Sequence, residues 1–144
     1  MIEVRSINTY IYISSGRIIM QKNKSLSDRL KELFNTMRDI IQDYKPDNIA
    51  IEKMFFAKGI KSAMSLGHTR GVIIAASSLS EKPIFEYSPL EIKKAVVGYG
   101  KADKRQVKKM VKDILMIRHD ISYDSADALA TAICHANTMR LTSR

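Results

Sequence analysis

Two short runs, NIAIE at Asn48 to Glu52 and PIFEY at Pro83 to Tyr87, flank a stretch in which Ile60, Ala63, Met64, Gly67, Gly71, Ile74 and Ala75 keep a helical period. A strand, a helix and a second strand in that order imply parallel pairing through a right-handed crossover. The pattern continues on both sides. Ser88-Pro89 opens a short helix through Val97, since serine caps and proline suits the first helical turn. After the loop GYGKAD a further helix is predicted from about Asp103 to Leu115, and Asp124 or Ser125 starts the last one. Upstream, Ser25 or Ser27 caps a helix carrying Leu30, Leu33, Phe34, Met37, Ile40, Ile41 and Tyr44, with Pro46 beyond its end. The first twenty residues read as antiparallel β structure, Tyr10 to Ile13 leading through a bend near Gly16 into Arg17 to Met20. The sum is a mixed α/β sheet covered by helices.

At 144 residues the chain is long enough for one domain with a real core and short for two, so residues 1–144 are read as a single domain. Its longest apolar run, Gly71 to Ala76, is far below the roughly 20 residues that span a bilayer, and MIEVRS lacks the apolar core of a signal peptide. A cytoplasmic protein with no membrane partner is expected. The lone cysteine, Cys134, excludes an internal disulfide and reads as a small buried apolar side chain. The net charge of +9 is concentrated: between Lys93 and Arg118 nine lysines and arginines face only Asp103 and Asp113, a local net of +7. Such a face suits a phosphate backbone, and Lys93, Lys101, Lys104, Arg105 and Lys108 are the candidate contacts. A merely solvated lysine-rich helix face has the same composition.

The last predicted helix, within YDSADALATAICHAN, is small and apolar after two acids at its head. Asp124 and Asp127 are spaced i, i+3 and share one helical face. Both suit a first helical turn, Asp124 as a cap and Asp127 near the third position, so capping alone explains them. Glu52 adds a third acid at the carboxyl end of a strand, where sites gather in open α/β sheets. Three hard oxygen donors, if brought together, would hold Mg²⁺ or Mn²⁺, and a cation would relieve their mutual repulsion. Beside a basic segment this points to two-metal phosphodiester hydrolysis, which needs no serine or cysteine nucleophile. His68, His119 and His135 show no HExxH spacing, and no phosphate loop of the GxxxxGK[ST] form is present.

The segments IAIEKMFFAKGIKSAMSLGHTRGV, FEYSPLEIKKAVVGYGKADKRQV and DSADALATAICHA resemble, in order and spacing, the signature regions of RuvC, the bacterial Holliday junction resolvase. The resemblance runs from about Ser25 to Asn137. It implies an RNase H-like fold, a homodimer and Mg²⁺-dependent nicking of opposite strands of four-way junction DNA in recombination and repair. Two ions per site are expected, with Mn²⁺ as a substitute. By the same resemblance Glu52, Asp124 and Asp127 match metal-binding carboxylates. Phe55 matches an aromatic that stacks at the junction centre, and Lys93 and Lys104 match basic residues acting on DNA near the site, Lys104 on the scissile phosphate. The helix from Ile60 to Ser80 would contribute to the dimer, where Gly67 and Gly71 allow close packing. The RuvA–RuvB branch-migration complex is the implied partner.

One departure stands beside the match. RuvC proteins begin with a strand bearing a fourth carboxylate in an IDPG-like segment, and MIEV here resembles the family's second strand, TYIYISSGRIIMQ its third. The resemblance therefore implies an N-terminally truncated RNase H-like domain, a strand short of a central sheet position. The alternatives are a junction-binding module that does not cut, a chain in which MIEV and Glu3 replace the missing strand and acid, and another RNase H-like nuclease acting on RNA.

Overall fold

A computed structural model describes residues 1–6, 9–53 and 59–142, with side chains through Met139. Four strands and five helices follow one another: β1 (Ile2–Ser6), β2 (Thr9–Tyr12), α1 (Leu26–Tyr44), β3 (Ile49–Glu52), α2 (Ile60–Ser78), β4 (Ile84–Tyr87), α3 (Pro89–Val97), α4 (Lys104–Ile114) and α5 (Tyr123–Thr142). They fall into two compact units. The first gathers Met1–Arg17, Ala50–Lys53 and the chain from Glu86 onward; the second gathers Ile18–Ile49 and α2 with its flank to Phe85. None of the described helices is long and apolar enough to cross a membrane.

The pairing is mixed, as the element order requires, and comes in two two-stranded pieces. β1 and β2 are antiparallel, with Ile2 opposite Tyr12 and Val4 opposite Tyr10, and an irregularity between Val4 and Ser6. In the other pair, Ile49 N–H donates to Pro83 O at 2.9 Å and Lys53 N–H to Tyr87 O at 2.7 Å. Both strands advance four residues in the same direction between these bonds, so β3 and β4 run parallel. The hairpin differs from its sequence reading. β2 finds its partner upstream rather than downstream, Arg17 to Met20 form no strand, and Gly16 does not take the left-handed conformation that a tight turn would use. The run NIAIE, whose β-branched residues suit a buried strand, is only partly covered: Ile49, Ala50 and Ile51 are half-buried and Glu52 is exposed.

In the second unit α1 packs on α2. Ser25 is the cap of α1, its Oγ accepting from Asp28 N–H at 3.1 Å, and Leu33 and Ile41 are its buried residues. Gly67 and Gly71 on α2 meet no neighbour: a Cβ built on either finds nothing within 4 Å.

The core of the first unit is α5. Ala126, Leu129, Ala130, Ile133 and Cys134 are each at most 2% exposed, and Ser125, Thr131, His135 and Ala136 are buried as well, so the helix is buried nearly all round rather than along one stripe. Its small residues let α3 and α4 come against it. α3 contributes Ile92 and Val96 and is held at its start by a reciprocal capping box, Glu91 N–H to Ser88 Oγ at 3.2 Å and Ser88 N–H to Glu91 Oε2 at 2.7 Å. It ends at Gly98, whose φ of 90° favours glycine. α4 buries Val107 and Val111, leaves Lys104, Arg105 and Lys109 exposed, and half-buries Lys108 and Lys112. A hydrogen bond from Tyr10 to Asn137 ties β2 to α5, and Asn137 Nδ2 in turn donates to Ala95 O on α3 at 3.3 Å.

Polar groups also sit inside this core, Ser125, Thr131 and His135 among them. His135 Nδ1 and the Tyr87 hydroxyl are 2.9 Å apart, and burial pushes the His135 imidazole below its ordinary pKa of 6.5. The unfolded chain therefore takes up that proton first, and the contribution of neutral His135 to stability is lost as pH falls through 6.5. Denaturant unfolding at about pH 7.5 and 5.5, on either side of that range, should show His135→Gln losing less stability toward acid than the parent; equal losses would count against this linkage. Leu129→Ala, at a position with 0% exposure, should lower unfolding free energy by about 2–5 kcal/mol in the same assay.

Candidate metal centre and nucleic-acid interface

The four-residue strand β3 delivers Glu52 at its carboxyl end, and the Lys53 N–H bond to Tyr87 O fixes the backbone immediately after it. Asp124 and Asp127 come from the first turns of α5. Capping is a sufficient explanation of both by spacing alone, but that duty falls elsewhere. Ser122 is the cap: its Oγ accepts from Ser125 N–H at 3.1 Å and donates to Ser125 Oγ at 3.0 Å, and its carbonyl accepts from Ala126 N–H at 3.0 Å. The helix consequently starts at Tyr123, ahead of the predicted Asp124 or Ser125. Neither aspartate carboxylate is needed to close the helix end.

Glu52 and Asp127 lie within electrostatic reach of each other. Burial raises the Glu52 pKa above the usual carboxylate value, the Asp127 charge adds to the rise, and Lys104 and Lys93 oppose it. Asp127 is raised in the same way, by burial first and by Asp124 as well, with Lys104 and Lys93 again opposing. Two carboxylates that are partly desolvated, repel one another and face two ammonium groups form a local field that a cation would stabilise. Oxygen-only donors of this kind fit a hard divalent ion. Asp124 stands further out, its Oδ2 at 3.6 Å from Arg17 Nη1, with 71% of its side chain exposed. Among the described residues no three His, Cys, Asp or Glu side chains are drawn together closely enough to hold a metal as they stand. The carboxylates are thus assembled as a coupled pair with a third member at its edge.

The basic residues divide by location. Lys93, half-buried on α3, and Lys104, the first residue of α4, both act on the carboxylate pair. Lys101, in the turn before α4, and Arg105 are exposed. Lys108 faces a groove of about 490 Å³ with Arg105, Lys109, Lys112, Asp120 and Tyr123. Its Nζ is 2.8 Å from Asp120 Oδ1 and 5.0 Å from the centre of the Tyr123 ring. Phe55 lies outside the described residues. Glu3, considered as a replacement acid, is paired instead with Arg5 at 2.7 Å. Sequence reading missed Arg17, Asp120 and Tyr123; Arg17 carried a faint signal as the only charge between Arg5 and Lys22.

Known proteins supply the remaining comparison. A family model described as crossover junction endodeoxyribonuclease RuvC matches residues 1–135. The RuvC of Halothermothrix orenii is 45% identical over 135 residues, 93% of this chain and 82% of that protein. That of Ruminiclostridium cellulolyticum is 44% identical over 135 residues, 93% and 81% of the two chains. Among solved structures, T. thermophilus RuvC in complex with Holliday junction substrate superposes with a TM-score of 0.92 at 24% identity, covering 98% of this chain and 86% of that one. A Thermus thermophilus RuvC structure gives a TM-score of 0.86, with 99% and 86% covered. The backbone is therefore RNase H-like, and the chain belongs to the RuvC family of crossover junction endodeoxyribonucleases.

Proposed function

We propose that this chain is a metal-dependent endonuclease that resolves four-way DNA junctions, with Glu52, Asp124 and Asp127 as ligands for Mg²⁺ and with Lys104 and Lys93 on the DNA phosphates. The observation that carries the reading is the shared field of Glu52 and Asp127, an accessible acid at a strand end and a half-buried one at a helix start, opposed by the same two lysines. Membership of the RuvC family and the likeness to a RuvC solved with a Holliday junction substrate support the choice of DNA.

When bound, a divalent ion supplies Lewis acidity toward the phosphate and an activated water. The chain's own residues do the rest. Glu52 and Asp127 present oxygen donors from rigid elements, and the Ser122 cap keeps the carboxylate of Asp124 free of backbone bonds, its contact being the long pair with Arg17. Lys104 and Lys93 lower the net charge of the acid pair and attract a polyanionic backbone to it. Lys101 and Arg105, exposed beside Lys104, extend this basic surface along the turn and α4.

Resolution of a four-way junction needs two cuts, which a two-fold homodimer supplies with one site per protomer. One open face of α2 favours that assembly: Ile60 and Met64 are exposed, and the space over Gly67 and Gly71 on the same face is vacant in the single chain.

Two substitutions test the reading on a synthetic four-way junction with Mg²⁺. Asp127→Asn should lower cutting by more than about a hundredfold, the upper end of the loss from a mere outer partner of a metal, while junction affinity stays near that of the parent. Cutting at the parent rate would remove Asp127 from the site, and a parent chain that binds junctions without cutting would leave only a binding module. Lys104→Ala should weaken binding and reduce the slope of log affinity against log salt by about one phosphate contact. An unchanged slope would place Lys104 off the DNA.

A further inference from the structure

Lys108 belongs by sequence to the basic face that would meet DNA, yet its environment is not that of a phosphate-binding lysine. Only 20% of its side chain is exposed, whereas a lysine serving a backbone in solution keeps its ammonium in water. The ammonium is turned onto Asp120 at 2.8 Å and over the Tyr123 ring at 5.0 Å. Both contacts lie on the link between α4 and α5. Asp120 is in the loop before α5, Tyr123 is the helix's first residue, and the next residue is Asp124. The ion pair and the ring contact thus fasten the entry of α5 to α4 from one side, while Ser122 caps it from within. Lys108 also holds the Asp120 carboxyl below its usual range, chiefly by its hydrogen bond.

We propose that Lys108 is a positioning residue: with Asp120 and Tyr123 it locks the first turn of α5, and so sets where Asp124 and Asp127 stand. This rests on the reading of those two aspartates as metal ligands. It divides the basic face of α4 into two kinds of lysine. Lys104 acts on the acids and the phosphate, and Lys108 acts on the backbone that carries the acids. A displacement of about 1 Å in such a site costs on the order of a hundredfold in rate, so a tether at this place has a large lever on turnover and little on affinity.

Asp120→Asn separates the two roles, because it breaks the tether while leaving the Lys108 charge in place. Positioning predicts single-turnover junction cutting reduced by about tenfold or more, with the dissociation constant and its salt slope unchanged. Lys108→Arg, which retains both the ion pair and the ring contact, should restore most of the rate that Lys108→Ala loses. Independently of cutting, hydrogen exchange at the amides of Ser125, Ala126 and Asp127 should accelerate in Asp120→Asn and Lys108→Ala and not in Lys108→Arg. If the parent cuts no junction while these amides respond, the nuclease reading fails and the tether stands. Unchanged exchange in both variants, or parent-like cutting by Asp120→Asn, overturns the proposal, and Asp120→Asn with tighter junction binding and full activity would return Lys108 to the phosphate-contacting group.

Discussion

The burial of α5 on nearly every side is the constraint on which the first unit depends. A helix whose middle is alanine, leucine, isoleucine and cysteine with at most 2% exposure at its inner positions leaves no place for charge along that middle and confines it to the ends. Asp124 and Asp127 are therefore at the boundary where the core ends. The small side chains have a second consequence, since they let α3 and α4 pack against the same helix and bring Lys93 and Lys104 to its charged end. Packing and electrostatics here are one arrangement seen from two directions.

The charged end is held by polar contacts that do not use the acids. Ser122 and Ser125 close the helix start, and Lys108, Asp120 and Tyr123 brace the entering chain. On the strand side, the Lys53 to Tyr87 hydrogen bond fixes the end of β3. Glu52 and Asp127 are thereby held near one another, and their raised proton affinity records first the cost of desolvating each carboxylate and then the repulsion of a neighbouring acid, Asp127 for Glu52 and Asp124 for Asp127.

Much of this was legible in the sequence, for reasons that differ by element. The helical spacing of Leu33 and Ile41, the Ser25 and Ser88-Pro89 caps and the short runs ending at Glu52 and Tyr87 are local signals, and the elements formed where those signals lay. The hairpin was harder. Two alternating runs, one on each side of TYIY, compete as its partner, and local pattern does not decide between them; the pairing of β1 with β2 does. The start of α5 was misjudged because serine and aspartate are both good caps, and only the hydrogen bonds reveal that Ser122 takes the role. Lys93 and Lys104 lie in the basic segment that the charge pattern marks, and only the family resemblance singles them out within it. The roles of Arg17 and Asp120 depend on long-range or loop contacts that no spacing announces.

The central claim is that Glu52 and Asp127 act as one site for a divalent cation rather than as two separate acids. Mn²⁺ binding followed by electron paramagnetic resonance in the parent, Glu52→Gln, Asp127→Asn and the double variant measures this directly. A shared site predicts that either single substitution removes most of the affinity and that the second adds little, a large non-additive coupling. Independent, additive losses, or Mn²⁺ affinity that neither substitution changes, would contradict it.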